Sequence, residues 1–280
     1  MTPVLFAIGA AVCGTFNDLV YRKNKINSAR EKVWLFYFLA AISSAAYCFL
    51  YITLSKGSFH FDLPTALLGA MIGVVSFAAY ILFLFSFDGV NTSVTITIFR
   101  MNLIPGIILA MIFLNEAITL RRVFGIVLCI VGMLIFSYQK TEQKLKIKFL
   151  VLSICACLFC GVLNYANKVA AIEGMDSFYV MFWRFSTVAM ISIVPLLRKP
   201  PEKFLLSSIK YPMISGFLLM MSVFCTLAAL KNGDVSLVIP ITQMSFIVTA
   251  LISWIVFKER MTLSKLLGIV CGLLAVVLIA

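Results

Sequence analysis

Residues 93–125, SVTITIFRMNLIPGIILAMIFLNEAITLRRVFG, and residues 236–268, SLVIPITQMSFIVTALISWIVFKERMTLSKLLG, are two copies of one pattern. A shift of 143 lays 87–136 on 230–279 without a gap. It pairs Ser93 with Ser236, Ile96 with Ile239, Ile98 with Ile241, Met101 with Met244, Glu116 with Glu259, Thr119 with Thr262, Leu120 with Leu263 and Gly125 with Gly268. Chance supplies apolar matches between two oily segments, but is a poor source of a Ser, Glu and Thr set in one register. Further upstream, Cys13-Gly14 with Asn17 resembles Cys160-Gly161 with Asn164, at a shift of 147. The chain thus divides into a first repeat, 1–138, a connecting loop, 139–146, and a second repeat, 147–280.

The solvent around these repeats follows from composition. Hydrophobic residues make up 62% of the 280 and charged ones 12%, with a mean hydropathy of +1.09. A soluble domain carries about 25% charged residues, so this chain lacks the side chains for a water-facing surface. Lipid demands that each spanning segment satisfy its own backbone, as a helix or a closed barrel. The apolar runs are continuous and not alternating, which selects helices. Charges and turn residues cut the chain into ten spans, about 3–21, 33–54, 64–87, 91–114, 120–138, 147–167, 177–197, 211–230, 234–257 and 263–280. The first run lacks a basic leader and a small-residue cleavage site, and reads as a span, not a signal peptide.

Five spans per repeat is an odd number, so the second copy enters the membrane from the opposite side. The expected fold is an all-α integral membrane protein of ten transmembrane helices in two inverted five-helix repeats. Two halves of that kind can exchange conformations and open a shared site to each side in turn. The Glu-x-x-Thr-Leu segments have a local explanation: Thr119 and Thr262 suit the N-caps of helices 5 and 10, with Ile118/Val123 and Met261/Leu266 as hydrophobic staples. Glu116 and Glu259 then read as helix-start residues at the interface.

Ten spans, the tandem repeat, and Glu-Ala-Ile-Thr-Leu at 116–120 and Glu-Arg-Met-Thr-Leu at 259–263, each followed by a glycine-bearing helix, resemble the EamA-type branch of the drug/metabolite transporter superfamily. The likeness covers essentially the whole chain. It departs at Asn115 and Lys258, where that family often has Gly before the Glu, and in a strongly basic first loop. The resemblance implies a multi-pass protein of the bacterial inner (cell) membrane, with helices 1, 3, 4, 6, 8 and 9 lining a cavity and both termini inside. The charges point the other way. Of 23 Lys and Arg, sixteen lie in loops after odd-numbered spans and five after even-numbered ones, with Arg100 and Arg184 completing the set. That bias places the odd loops in the cytoplasm and both termini outside. The net charge of +12 reads as topogenic charge facing anionic lipid, so no nucleic-acid partner is expected.

An ionisable residue deep in a span is a functional candidate by default. Arg100 sits near the middle of span 4 and Arg184 a third of the way into span 7. Arg100 aligns with Gln243, so the repeat sets a charge opposite a neutral hydrogen-bonding group. A midplane guanidinium suits a carboxylate or phosphate, gripped through two parallel bonds. Thr97 and Ile104 share its face on a continuous helix, whereas Asn102, about 200° away, faces elsewhere. Asn164 and Asn167 come from span 6, and Tyr80 and Phe224 offer apolar or stacking walls. By the resemblance Arg100 and Gln243 fall at the site and Arg184 on a more peripheral helix. The competing reading makes Arg100 a structural charge, held by carbonyls at helix breaks near Pro105 or Pro240.

Asp18, Asp88 and Glu116 lie near span ends, so no carboxylate is expected at midplane, and export of cationic drugs in exchange for protons is disfavoured. Cys157-x-x-Cys160 has no histidine nearby, and the eight cysteines read as helix-packing residues, not a metal or redox site. No H-E-x-x-H, G-x-S-x-G or midplane carboxylate pair suggests an intramembrane enzyme, and no cofactor is expected. The chain is expected to be a secondary active transporter of a small metabolite, an amino acid or related anionic or zwitterionic compound, exporting it by alternating access. Uptake of a sugar, nucleoside or organic anion is the alternative. Coupling to a proton or ion gradient, and a monomeric or homodimeric state with Gly268 and Gly272 as a dimer face or an internal contact, stay open.

Overall fold

The computed structural model describes residues 2–25, 31–57, 59–87, 92–137, 147–198, 207–257 and 262–280. Those residues form twelve helices and no strand. They are α1 (Thr2–Lys25), α2 (Glu31–Lys56), α3 (Leu63–Ser86), α4 (Thr92–Arg100), α5 (Leu103–Leu114), α6 (Leu120–Ser137), α7 (Ile147–Ile172), α8 (Ser177–Arg198), α9 (Ser207–Asn232), α10 (Val235–Gln243), α11 (Ser245–Phe257) and α12 (Leu263–Ile279). The ten expected spans are present, and two of them are broken: α4 with α5, and α10 with α11.

The breaks share one register of the repeat, at Met101–Asn102 and at Met244. Pro105 explains the first, because a proline ring clashes with the carbonyl four residues back, here that of Met101. Nothing of the kind lies four residues beyond Met244. There, side chains from other helices take the freed carbonyls: Arg100 Nη1 donates to Gln243 O at 3.2 Å and Thr15 Oγ1 to Ser245 O at 3.0 Å.

Contacts between helices follow the pseudo-twofold. α1 packs on α9 as α7 packs on α3, while α2 pairs with α8 and α6 with α12 across the axis. Lipid is as apolar as leucine, so association rests on close packing of small residues. Gly161 of α7 shows how close: a Cβ there would stand 2.6 Å from Pro105 Cγ and 3.0 Å from Gly106 N. Gly268 lies against Phe136 and Gly132, and Gly272 against Ile247, so both glycines serve contacts inside one bundle. Outward faces carry Leu5, Leu54, Met71, Phe113, Leu197 and Val277, all exposed, as a lipid-facing surface requires.

Two local expectations hold. Thr119 Oγ1 accepts from Arg122 N and Thr262 Oγ1 from Lys265 N, both at 3.4 Å, so each starts its helix as a cap. The staple differs, since Val123 is exposed while Ile118 turns into the core. Met261, Glu259 and Lys258 lie outside the described residues, as do Asp88 and the loop 139–146.

Candidate functional site

At the first break the chain leaves helical geometry, and Asn102 turns inward to become 1% exposed. Its Oδ1 accepts from Asn164 Nδ2 at 2.9 Å and from Gln243 Nε2 at 3.1 Å, and its Nδ2 donates to Phe99 O at 2.7 Å. One amide therefore ties α7 and the end of α10 to the α4–α5 break. The expectation that Asn102 faces elsewhere is corrected, because the 100° per residue behind it stops applying at Arg100. Ile104, beyond the break and 38% exposed, leaves the face of buried Thr97 for the same reason.

Arg100 is the ninth residue of α4, about 12 Å along the helix at 1.5 Å per residue. Besides its bond to Gln243 O, its guanidinium lies 5.8 Å from the Phe246 ring centroid. Arg100 and Asp18 of α1 feel each other's charge, although no direct ion pair joins them among the described residues. Asp18 stands one turn beyond Thr15 on the same face, and Thr15 holds the second break. Asp18 itself is exposed. It stands near the end of the first apolar span, Thr2–Val20, as expected, while α1 itself runs on to Lys25.

Tyr80 links this group to the second arginine. Its ring meets Phe99 at 6.1 Å between centroids, and its hydroxyl feels the charges of both Asp18 and Arg184. It also borders a small apolar cleft with Trp34, Tyr37, Phe77, Ile81 and Val188. Arg184 is 6% exposed, with its guanidinium 5.8 Å from the Phe185 centroid. Its Nε has no hydrogen-bond partner. Phe224 packs on Phe178, centroids 4.9 Å apart, at the edge of the core shared by α2, α8 and α9.

A separate cluster joins the repeats at the end of the bundle where α9 stops and α10 starts. Asn115 adopts φ 52°, the left-handed conformation that favours Gly and tolerates Asn, which accounts for an amide before the Glu. That turn aims Glu116 at the N-terminus of α10, where both carboxylate oxygens accept from Val235 N at 3.0 Å. Lys168, 8% exposed, donates to Leu230 O at 3.0 Å and Gly233 O at 2.9 Å, carbonyls at the C-terminal end of α9. The charges complement both helix dipoles and stand 3.9 Å apart. Arg122 closes the cluster on Asp234, at 2.6 Å. Glu116 is therefore no mere helix-start residue. Lys168 lies one residue past the sixth span expected from sequence, 147–167, whereas α7 continues to Ile172 and carries it.

A sequence profile described as the EamA-like transporter family matches residues 1–138 and 147–280. The chain belongs to the EamA-like transporter family. A crystal structure superposes on this EamA-like chain with a TM-score of 0.83 at 11% identity, over 99% of this chain and 95% of the other, which shows a shared fold. No curated protein matches in sequence. In this EamA-like transporter the structure brings Arg100, Gln243 and Asn164 together around Asn102, keeps Thr97 one turn from Arg100, and connects Tyr80 with Arg184. The sequence had a signal for Asn102 that went unread: it is the residue just after the Met101/Met244 match, three before a proline.

Proposed function

We propose that the chain is a secondary transporter that exports a small anionic or zwitterionic metabolite, an amino acid or a relative, by alternating access. Supporting this above all is the meeting of two broken spans at equivalent positions of the repeats, cross-linked through Asn102, Gln243 and Arg100. Broken helices leave backbone groups that bind substrate and ions near the bilayer midplane, at the interface of inverted repeats. Arg100, Thr97, Asn164, Gln243, Tyr80 and Arg184 are the proposed substrate-facing residues.

The Glu116–Lys168 cluster closes one end of the bundle, where α7 meets α9. Their counterparts α1 and α3 make no comparable contact among the described residues. Exchange of these two arrangements between the repeats would close the cavity on one side and open it on the other.

Purified protein screened by thermal shift against metabolites, then reconstituted for liposome flux, tests the proposal. Flux of an anionic or zwitterionic hit, reduced in Arg100→Ala, is expected. Equal stabilisation of wild type and Arg100→Ala by such ligands would remove Arg100 from the site.

A further inference from the structure

We infer that the Asn102 junction is a seat for a primary ammonium group, received by the side-chain oxygens of Asn164, Gln243 and Asn167, while Arg100 takes the carboxylate of the same molecule. This rests on the transporter reading of the site and narrows it, because an anion alone would leave those oxygens unused.

The direction of each amide follows from one backbone carbonyl. Phe99 O can only accept, so the Asn102 atom 2.7 Å from it must be Nδ2. Asn102 Oδ1 then faces Asn164 at 2.9 Å and Gln243 at 3.1 Å, and both must present nitrogen to it. Reversing any one of the three amides would set like atoms face to face. Asn164 Oδ1 and Gln243 Oε1 are therefore the free ends, on half-buried residues, and no donor among the described residues meets either.

Asn167 adds a third oxygen. It stands one turn along α7 from Asn164 on the same face, is 5% exposed, and its Oδ1 lacks a partner. A buried acceptor without a donor is costly, unless a ligand brings the donor. A primary ammonium carries three donors and no acceptor, which matches three oxygens; a hydroxyl has one donor and would leave two of them unmet.

Arg100 decides what else the molecule must carry. It spends Nη1 on Gln243 O at 3.2 Å, and its other donors make no hydrogen bond among the described residues. A bare cation beside it would be repelled, whereas an amino acid sets its carboxylate between its own ammonium and the guanidinium. Gln243 joins the two halves of the seat, since its main-chain oxygen holds Arg100 and its side-chain nitrogen holds Asn102.

The test uses the full chain, in nanodiscs for binding and in liposomes for flux. The probes are free α-amino acids, each beside its 2-hydroxy acid, its carboxamide and its N-trimethyl form, which keeps the positive charge but has no N–H. Wild type is expected to bind the 2-hydroxy and N-trimethyl forms about tenfold or more weakly, as loss of charge-assisted hydrogen bonds dictates. Asn167→Leu should leave the melting temperature unchanged or higher, because the oxygen it removes has no partner in the protein. It should still shrink the preference for the free amino acid by about threefold or more. Arg100→Gln should erase the preference for the acid over its carboxamide alone. Wild type that binds either replacement as tightly as the free amino acid overturns the ammonium seat without any variant having to fold. Asn167→Leu with its full preference intact overturns the three-oxygen arrangement, and Arg100→Gln that still prefers the acid overturns the carboxylate half. If no amino acid binds but a sugar, nucleoside or organic anion is carried, the ammonium seat fails and transport stands. If nothing is carried, the transport reading fails with it.

Discussion

Removing the carboxylate of Glu116 is the sharpest perturbation of the contact between repeats. Its side chain is 7% exposed and that of Lys168 10%, so neither charge has much water to fall back on. In Glu116→Ala the Val235 N–H loses its acceptor, and Lys168 keeps two carbonyls but no counter-charge. Breaking a buried pair from one side costs about 3–5 kcal/mol, mostly from the stranded charge. Lys168→Met should cost less, because Glu116 retains the N-terminus of α10 while two carbonyls lose a donor. In the double variant Glu116→Ala/Lys168→Met no charge is stranded, so its cost should fall below the sum of the single ones by about 1–3 kcal/mol. Equilibrium unfolding in mixed micelles measures all four corners of the cycle. A second readout reports closure: a thiol at Ser236→Cys, fully buried beside Arg122, should be shielded from a membrane-impermeant maleimide until Glu116 is replaced. Single costs under about 1 kcal/mol, or costs additive within about 0.5 kcal/mol, would refute the reasoning, since contacting charges must couple.

Other outcomes follow from the same geometry. Asn102→Ala removes the acceptor shared by the half-buried amides of Asn164 and Gln243, which should cost about 1–3 kcal/mol in the same unfolding assay and lower flux. Gly161→Ala drives a methyl into the Pro105 ring and toward Gly106 N, so α5 and α7 must separate at about 1–3 kcal/mol, read as a fall in melting temperature. Reporter fusions at Ala280 and within 139–146 test orientation: the charge bias expects an external C-terminus and a cytoplasmic connecting loop, and a cytoplasmic C-terminus would refute it.

Much of the fold was legible because the lipid environment leaves few solutions. Continuous apolar runs must be helices, and a 143-residue register with five spans on each side must invert. The caps at Thr119 and Thr262 were legible too, since a cap depends on neighbours three residues away. What went unread depends on backbone direction or on partners distant in sequence. Asn102 was placed by extrapolating a helix through the point where Pro105 ends it. Glu116 was read from its neighbours, yet its partners lie 119 residues away at Val235 and across the repeat at Lys168. Lys168 was assigned to a loop because a charge ordinarily ends a span, whereas here two helix-end carbonyls and a carboxylate make it tolerable inside.

The repeat accounts for the scaffold, and departures from it account for the chemistry. Met101 and Met244 keep the breaks in register, as a mechanism that interchanges two halves requires. Arg100 against Gln243 breaks that equivalence at the break itself: the charged copy reaches across to the backbone of the neutral one, while the neutral side chain reaches back to Asn102. Two arginines at this position would repel each other across the axis, and two glutamines would leave Asp18 without a cation. The mixed pair ties the breaks together with one charge, which Asp18 can offset. Arg184 is left with a buried Nε that has no partner, so the charge most visible in the sequence is the one that joins the halves.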